Sequence, residues 1–324
     1  MQISAFSKEI NEWSGSILIA GILEGTIESQ INLFKPIIKD TYLVQRFNDA
    51  KFEGKKNQNL SIELVEGKIK KIVFIGLGKA EDLLIDDLRK ATSIGTRKVF
   101  GYKGKLGIFF PWDIFDPSSA AFTVAEAIRL TSIKDLRFKS EPKESIPIEE
   151  AELIGLNAKV VELAIAEINP ICEGVNLARK LVSAPPNFLT PSQLAKEAKK
   201  LATNYDLDLK VLNKKECEDE GMGAYLAVAK GSDLEPNFIH LKYSPKTYKN
   251  KVVLIGKGLT FDSGGYNLKV GASQIEKMKY DMGGSASVLG AARAIAELKP
   301  NNIEVHFIVA SCENMINGSA LHPG

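Results

Sequence analysis

Continuous apolar runs alternate with helix-like segments along the first half of the chain. The runs Ser16–Ala20, Lys71–Ile75 and Lys105–Phe110 predict β-strands. The segments Leu83–Gly95 and Ser118–Thr131 predict helices. Because strands that alternate with helices are typical of a parallel sheet covered by helices, we expect an α/β domain with a largely parallel sheet.

A polar, proline-containing stretch, Lys139–Pro147, interrupts this alternation and predicts a linker. The segment after it, Ile148–Leu181, has sustained helical character with an interruption near Pro170, so we expect it to connect two domains. The predicted organisation is an N-terminal α/β domain at 1–147, a connecting helical segment at 148–184 and a second domain at 185–324.

The second domain again mixes strand and helix patterns. Thr190 and Ser192 lie where an N-cap is expected before the helix Gln193–Ala202, with Pro191 in its first turn. Four further segments predict strands, and one predicts a helix: Lys210–Leu212, Phe238–Tyr243, Lys251–Ile255 and Ile303–Ala310, with the helix at Ser285–Leu298.

Composition narrows the class of protein. A chain of 324 residues with 44% hydrophobic residues is long enough for two cores, since single cores stop growing near ~250 residues. Its 42 basic and 40 acidic side chains nearly cancel, so charge gives no support for nucleic-acid or membrane binding.

Three widely spaced cysteines without a CxxC pair favour a reducing compartment. Without a signal-like or membrane-spanning apolar segment, the sequence predicts a soluble cytoplasmic protein.

The candidate chemistry lies between residues 251 and 284. The run VVLIG predicts a strand buried on both faces, and the loop after it holds Lys257, Asp262 and Lys269. Ligand sites of open α/β sheets lie beyond the carboxyl ends of strands, which is where these residues fall. Asp281 follows, separated only by Met282 from the pair Gly283–Gly284, where small residues allow close approach of backbone and ligand.

Two interpretations of these charged residues are open from the residues alone. Carboxylates at the mouth of a buried sheet are costly unless positive charge neutralises them. Asp262 and Asp281 can form a salt-bridged structural cluster with the two lysines. They can equally be part of a site for a divalent cation.

The spacing of these residues resembles the signature of the leucyl aminopeptidase family, the cytosol aminopeptidases (peptidase family M17). The matching stretches are IGKGLTFDSGGYNLK and MKYDMGG, together with NLARKLVSAPPNFLTPSQLA, GMGAYLAVAKGS and CENMINGSALHPG. The resemblance extends from about Asn176 to Gly324. It implies a smaller N-terminal α/β domain joined by a helix to the first part of an α/β catalytic domain with a central mixed sheet.

The resemblance also implies roles for individual residues. Asp262 would bridge two divalent cations, and Lys257 and Asp281 would ligate one of them. Lys257 would then bind as a neutral amine, which adjacent cations favour by repelling the ammonium form. Lys269 would keep its proton, polarise the scissile carbonyl and stabilise the oxyanion. Met278 would line the pocket for the first side chain of the substrate, although methionine at such a position is also ordinary core filler.

The implied function is that of a hydrolase: a metal-dependent aminopeptidase that releases N-terminal leucine and similar residues from peptides by two-metal hydrolysis. The implied cofactors are two divalent cations per subunit, Mn²⁺ or Zn²⁺, with bicarbonate as a small anion. The implied assembly is a homo-hexamer of the full-length parent, with peptides as substrates. The near-neutral charge and the absence of a long apolar segment, rather than the resemblance, argue against nucleic-acid and membrane partners.

One part of the family pattern is absent from the chain. The family has a further segment, Asn-Thr-Asp-Ala-Glu-Gly-Arg, after the HPG turn, and this chain ends in that turn at Gly324. The absent aspartate and glutamate supply ligands to both cations. We therefore expect a C-terminally truncated chain that is weakly active or inactive, and a longer parent that is the enzyme.

Other classes of protein fit the sequence less well. The strand and loop Phe74–Lys79 suggest a phosphate loop, but Glu81 occupies the third glycine position of GxGxxG. The three histidines lack metal-ligand spacing; His240 and His306 lie in apolar strands, where core or sheet-edge positions are expected. A non-catalytic assembly or DNA-binding subunit is the remaining alternative, with the run 196–200 as either a weak basic patch or a solvated helix face.

Overall fold

The computed structural model describes residues 1–25, 27–38, 43–142 and 148–322. These residues form two compact units, Met1–Asn169 and Pro170–Gly324. Residues 143–147 of the predicted linker, and the last two residues of the CENMINGSALHPG motif, lie outside the described ranges. The domain borders expected after residues 147 and 184 stay predictions.

A six-stranded sheet forms the centre of the first unit. Its strands are β1 (Gln2–Phe6), β2 (Ile17–Leu23), β3 (Asn59–Glu63), β4 (Lys71–Gly78), β5 (Leu106–Phe109) and β6 (Glu150–Ile154). Their order is β1-β6-β5-β2-β4-β3, and the β3–β4 pair is antiparallel while the other pairs are parallel. The expected largely parallel sheet is confirmed, and the continuous apolar runs of β2 and β4 are its buried central strands.

Helices accompany this sheet, as the alternation predicts. They are α1 (Ile27–Phe34), α2 (Leu43–Asp49), α3 (Ile85–Lys98) and α4 (Pro117–Ser132). Asp116 is the N-cap of α4, where its carboxylate accepts a hydrogen bond from the Ser119 N–H at 2.8 Å.

The expectation of a helix throughout Ile148–Leu181 is wrong at its start. Residues Glu150–Ile154 form β6, which pairs with β1 and β5. This segment, EAELI, is rich in helix formers, but parallel pairing on both sides outweighs that local preference. The helix α5 begins only at Ala158 and continues to Ser183, with Pro170 inside it. The division between the two units falls within this helix.

The second unit is built on a four-stranded mixed sheet. Its elements are α6 (Pro191–Tyr205), β7 (Asp208–Leu212), α7 (Lys214–Asp219), α8 (Gly223–Ala229), β8 (Asn237–Tyr243), β9 (Tyr248–Asp262), α9 (Gly283–Leu298) and β10 (Asn302–Asn314). The order is β7-β8-β10-β9, with β9 and β10 parallel and the other pairs antiparallel. Thr190 caps α6 as expected, accepting from the Gln193 N–H at 3.3 Å.

The two faces of this sheet differ in their burial. One face of β10, at Val305, Phe307 and Val309, is 1% exposed and belongs to a core that includes residues of α6 and α9. The expectation that the VVLIG run is buried on both faces is wrong, because Val253 is 50% and Ile255 is 74% exposed. Within the described ranges β9 pairs with β10 alone, so the run belongs to an edge strand rather than to a central one.

His240, His306 and the residues considered as a phosphate loop all lie in strands of the two sheets. His240 and His306 are partly buried neighbours on β8 and β10, with stacked rings and 2.8 Å between Nε2 and Nδ1. The residues Phe74–Gly78 lie inside buried strand β4, not in a loop. None of the helices in the described ranges is both long and apolar enough to cross a membrane.

Candidate active site

The candidate site lies where the parallel strands β9 and β10 end. Asp262 is the last residue of β9 and Asn314 the last of β10, and the two are opposite each other in the strand register. Parallel strands end at the same edge of their sheet, so both side chains lie at the edge where α/β ligand sites occur. From Asp262 the chain passes through a loop and two 3₁₀ turns before Asp281, which immediately precedes Met282 and α9.

Two glycines bring the start of α9 against β9. A Cβ added to Gly256 would lie 2.6 Å from the Gly284 carbonyl oxygen, and one added to Gly284 would lie 2.9 Å from the Lys257 nitrogen. Gly283, by contrast, has no other atom within 4 Å of its Cβ position. The close approach of α9 to β9 therefore requires glycine at position 284 but not at position 283. This approach brings Asp281, just before α9, next to the part of β9 that carries Lys257.

The glycine contact makes a prediction with a matched control. We expect Gly284→Ala to lower the free energy of unfolding by about 1–3 kcal/mol through overpacking against β9. Gly283→Ala adds the same methyl group in open space, and we expect a change within about 0.5 kcal/mol. Denaturant titration of both variants is the measurement. Equal stabilities would show that α9 does not depend on this approach to β9.

The structure brings together the four charged residues singled out in the sequence. This charged cluster consists of Lys257, Asp262, Lys269 and Asp281. The Lys269 Nζ lies 3.1 Å from Asp262 Oδ2, and the Lys257 Nζ lies 3.6 Å from Asp281 Oδ2. The Asp262 carboxyl group is near enough to Asp281 to raise the pKa of that residue.

The electrostatic environments of the two carboxyl groups differ. Burial acts to raise the pKa of Asp262, but hydrogen bonds from Lys269, Asn314 and the Gly264 N–H outweigh it and hold that pKa below its ordinary value. Burial raises the pKa of Asp281, and the neighbouring Asp262 raises it further against the opposing charge of Lys257. Asp281 therefore lies in a place where additional positive charge would favour its ionised form.

The donor set of the charged cluster fits a divalent cation. Neighbouring carboxylates repel each other when both are ionised, as the raised pKa of Asp281 beside Asp262 indicates, and a cation between them would remove that repulsion. With the Lys257 amine they provide two oxygen donors and one nitrogen donor. No group of three His, Cys, Asp or Glu side chains suited to a metal occurs in the described ranges, so this donor set depends on a lysine. The same distances are also those of two ion pairs, which is the alternative structural interpretation.

Two further residues contact members of the charged cluster. Met278 lies in the 3₁₀ segment Ile275–Tyr280, is partly buried, and accepts a hydrogen bond at its carbonyl from the Asp281 N–H at 3.2 Å. Asn314, in contrast, was not singled out, yet its Nδ2 donates to Asp262 Oδ1 at 2.7 Å. The sequence signal for Asn314 was its place shortly after the predicted strand Ile303–Ala310, within the matching stretch CENMINGSALHPG.

Comparison with known families gives matches over both units. The family model described as the cytosol aminopeptidase family, catalytic domain, matches residues 176–324. The model for the N-terminal domain of the same family matches residues 22–142.

Individual relatives of the chain carry names from the same family. Probable cytosol aminopeptidases from two strains of Prochlorococcus marinus are each 55% identical to all of this chain, which covers 65% and 66% of their lengths. A solved structure of a mutant tomato leucine aminopeptidase matches with a TM-score of 0.84 and 31% identity, over 100% of this chain and 65% of that one. The chain thus spans about two thirds of the length of the relatives it matches.

Proposed function

The chain belongs to the cytosol aminopeptidase family, and from that premise we propose that its protein is a metal-dependent aminopeptidase acting on the N-termini of peptides. The substrates would be peptides that begin with leucine and similar residues. The observation that carries the proposal is the charged cluster at the carboxyl end of two parallel strands, where each of two carboxylates has a lysine within 4 Å.

Three side chains of the cluster would hold the cations. Asp262 would be shared between two divalent cations, Mn²⁺ or Zn²⁺, while Lys257 and Asp281 would bind one of them. When bound, the cations would supply Lewis-acid polarisation of the peptide carbonyl and would ionise a water at neutral pH. Lys257 would contribute a neutral amine, and its side chain is 59% exposed, so its proton has a direct route to solvent.

Lys269 would act on the substrate directly. Its ammonium group is paired with Asp262 Oδ2 and its side chain is 27% exposed, so it is fixed at the cluster while still open to solvent. A positive charge held at that position can bind the scissile carbonyl oxygen and stabilise the negative charge that develops on it. Met278, three residues before Asp281 and partly buried, would line the pocket for the first side chain of the substrate.

The proposal also includes the cellular setting that the resemblance implies. The names of the relatives support a cytosolic protein, and we place this one in the same compartment. A homo-hexamer, and bicarbonate as a small anion at the site, belong to the same proposal. Light scattering after size-exclusion chromatography measures the assembly directly.

The activity is tested on the protein purified as its gene encodes it. We expect hydrolysis of leucine p-nitroanilide with added Mn²⁺, loss of that hydrolysis with EDTA, and its return when Mn²⁺ is restored. N-acetyl-leucine p-nitroanilide is the matched control, because it lacks the free α-amine that an aminopeptidase requires. Hydrolysis that survives EDTA, or equal rates on the acetylated substrate, would contradict the proposal.

The same assay applies to residues 1–324 by themselves. Three ligating side chains within the cluster would serve one cation, and Asp262 alone would reach the second. The expectation that these residues alone are weakly active or inactive stays a prediction. Family-typical rates from residues 1–324 would contradict it.

A further inference from the structure

Asn314 contacts the charged cluster through hydrogen bonds that join the ends of two strands. Its Nδ2 donates to Asp262 Oδ1 at 2.7 Å, and its carbonyl accepts from the Ser263 N–H at 2.9 Å. Both bonds cross from β10 to the residues that end β9. The side chain and the backbone of Asn314 therefore fix Asp262 and the residue after it at the same time.

A change of register places these two residues opposite each other. Cys312 pairs with Leu259, but Asn314 pairs with Asp262, so β9 advances three residues where β10 advances two. The extra residue is a bulge at the end of β9, and bulges next to functional sites redirect side chains. With the register unchanged, Asn314 would lie opposite Phe261, and Asp262 would not face it.

The two oxygens of Asp262 consequently have different partners. Oδ1 accepts from Asn314 Nδ2 and from the Gly264 N–H at 3.0 Å. Oδ2 faces the Lys269 ammonium at 3.1 Å. Asp262 is 8% exposed, so its carboxylate has little freedom to rotate and exchange these roles.

The orientation of the Asn314 amide is fixed by what surrounds it. An ionised carboxylate accepts hydrogen bonds and cannot donate them, so the NH₂ end of the amide must face Asp262. The amide oxygen lies on the other side, where a Cβ at Gly265 would come within 3.2 Å of it. Gly265 has φ +65°, a conformation that glycine adopts without cost. The loop thus leaves room for the amide in the orientation that donates to Asp262.

We propose that Asn314 is a positioning residue for the metal site: by binding Oδ1 of Asp262 it leaves Oδ2, which faces the charged cluster at Lys269, as the oxygen available to a cation. This inference rests on the proposed function. Groups that orient metal ligands from behind typically change metal affinity about 10- to 100-fold when removed. Asn314 itself supplies no donor atom to the cation, since its amide oxygen points away from Asp262.

The test measures Mn²⁺ affinity by isothermal titration calorimetry on the intact protein. We expect Asn314→Leu, which keeps the size of the side chain but removes the donor, to weaken Mn²⁺ binding about 10- to 100-fold. Asn250→Leu is the matched control at an exposed position of the same strand pair, and we expect its Mn²⁺ affinity to be unchanged. Asn314→Ala serves as a second variant if leucine prevents folding, which near-ultraviolet circular dichroism reports.

Asp262→Asn separates failure of this inference from failure of the proposed function. If Asp262→Asn abolishes Mn²⁺ binding while both folded Asn314 variants bind within twofold of the unsubstituted protein, the positioning role is wrong and the metal site stands. If Asp262→Asn leaves Mn²⁺ binding unchanged, the metal site is wrong and the role of Asn314 is wrong with it. Parallel loss in Asp262→Asn and the Asn314 variants, with Asn250→Leu unaffected, is the supporting result.

Discussion

Replacing Asp262 with asparagine is expected to lower kcat/KM for leucine p-nitroanilide by at least ~10³-fold, because cations that stabilise the transition state by several kcal/mol lose their shared ligand. The amide has nearly the same shape as the carboxylate but no negative charge. It cannot balance a dication, and its NH₂ group would face either Asn314 Nδ2 or Lys269 Nζ, which are both donors. Mn²⁺ affinity should fall together with activity.

The matched control for this change is Asp208→Asn. Asp208 lies on β7 of the same sheet and forms an ion pair with Lys242, at 2.8 Å between Oδ2 and Nζ, far along the strand order from β9. Its carboxylate is 73% exposed, so its removal should change neither Mn²⁺ affinity nor kcat. If Asp262→Asn retained full activity, as expected for Asp208→Asn, and changed only the midpoint of unfolding, the charged cluster would consist of ion pairs that stabilise the fold without binding a metal.

Much of the fold could be predicted because the strongest sequence signals coincide with the most buried elements. The apolar runs that form β2 and β4 are buried. The helical periodicity of the apolar residues in α3 and α4 matches the side chains that these two helices bury. The wrong predictions concern segments whose local sequence favours a different structure from the one they adopt. β6 carries helix-forming residues, and it is a strand because β1 and β5 lie on either side of it. Such pairing is a property of the assembled sheet and leaves no trace in the local pattern.

Some residues of the candidate site could be predicted from the local sequence, and others could not. The four charged residues could be predicted because they are close in sequence and lie on or shortly after one strand, so their chemistry and spacing are both visible in the sequence. Asn314 is 52 residues from Asp262 and meets it only through strand pairing and a bulge. The difference between Gly283 and Gly284 is also invisible locally, since it depends on which of the two faces β9.

The exposed part of β9 shows why an apolar run is an ambiguous signal. VVLIG has the composition of a central strand, yet Val253 and Ile255 are exposed and Gly256 is buried against α9. A continuous apolar run records the preference of each side chain, whereas burial also depends on which elements cover the two faces. The prediction of a strand at Lys251–Ile255 was correct, but the loop expected directly after it was wrong for two residues. Strand β9 continues to Asp262 because it pairs with β10 along that length, so Lys257 and Asp262 lie on the strand and Lys269 lies in the loop.

Lys269→Met is expected to lower kcat by about 10²- to 10³-fold with little change in KM, as when one group that stabilises an oxyanion is removed. The methionine retains much of the side-chain length but has no charge, so it cannot balance the negative charge that develops on the carbonyl oxygen. Mn²⁺ affinity should be retained, because Lys269 is not one of the proposed ligands and its removal also frees Asp262 Oδ2 from an ion pair at 3.1 Å.

This combination distinguishes Lys269 from the ligands of the cluster, since Asp262→Asn should lose metal and activity together. Lys277→Met is the matched control, an exposed lysine of the neighbouring 3₁₀ segment that should leave kcat unchanged. Loss of Mn²⁺ binding in Lys269→Met would assign this lysine to the metal site itself. An unchanged kcat would mean that its ammonium group serves only to neutralise Asp262, and that the carbonyl oxygen of the substrate is stabilised without it.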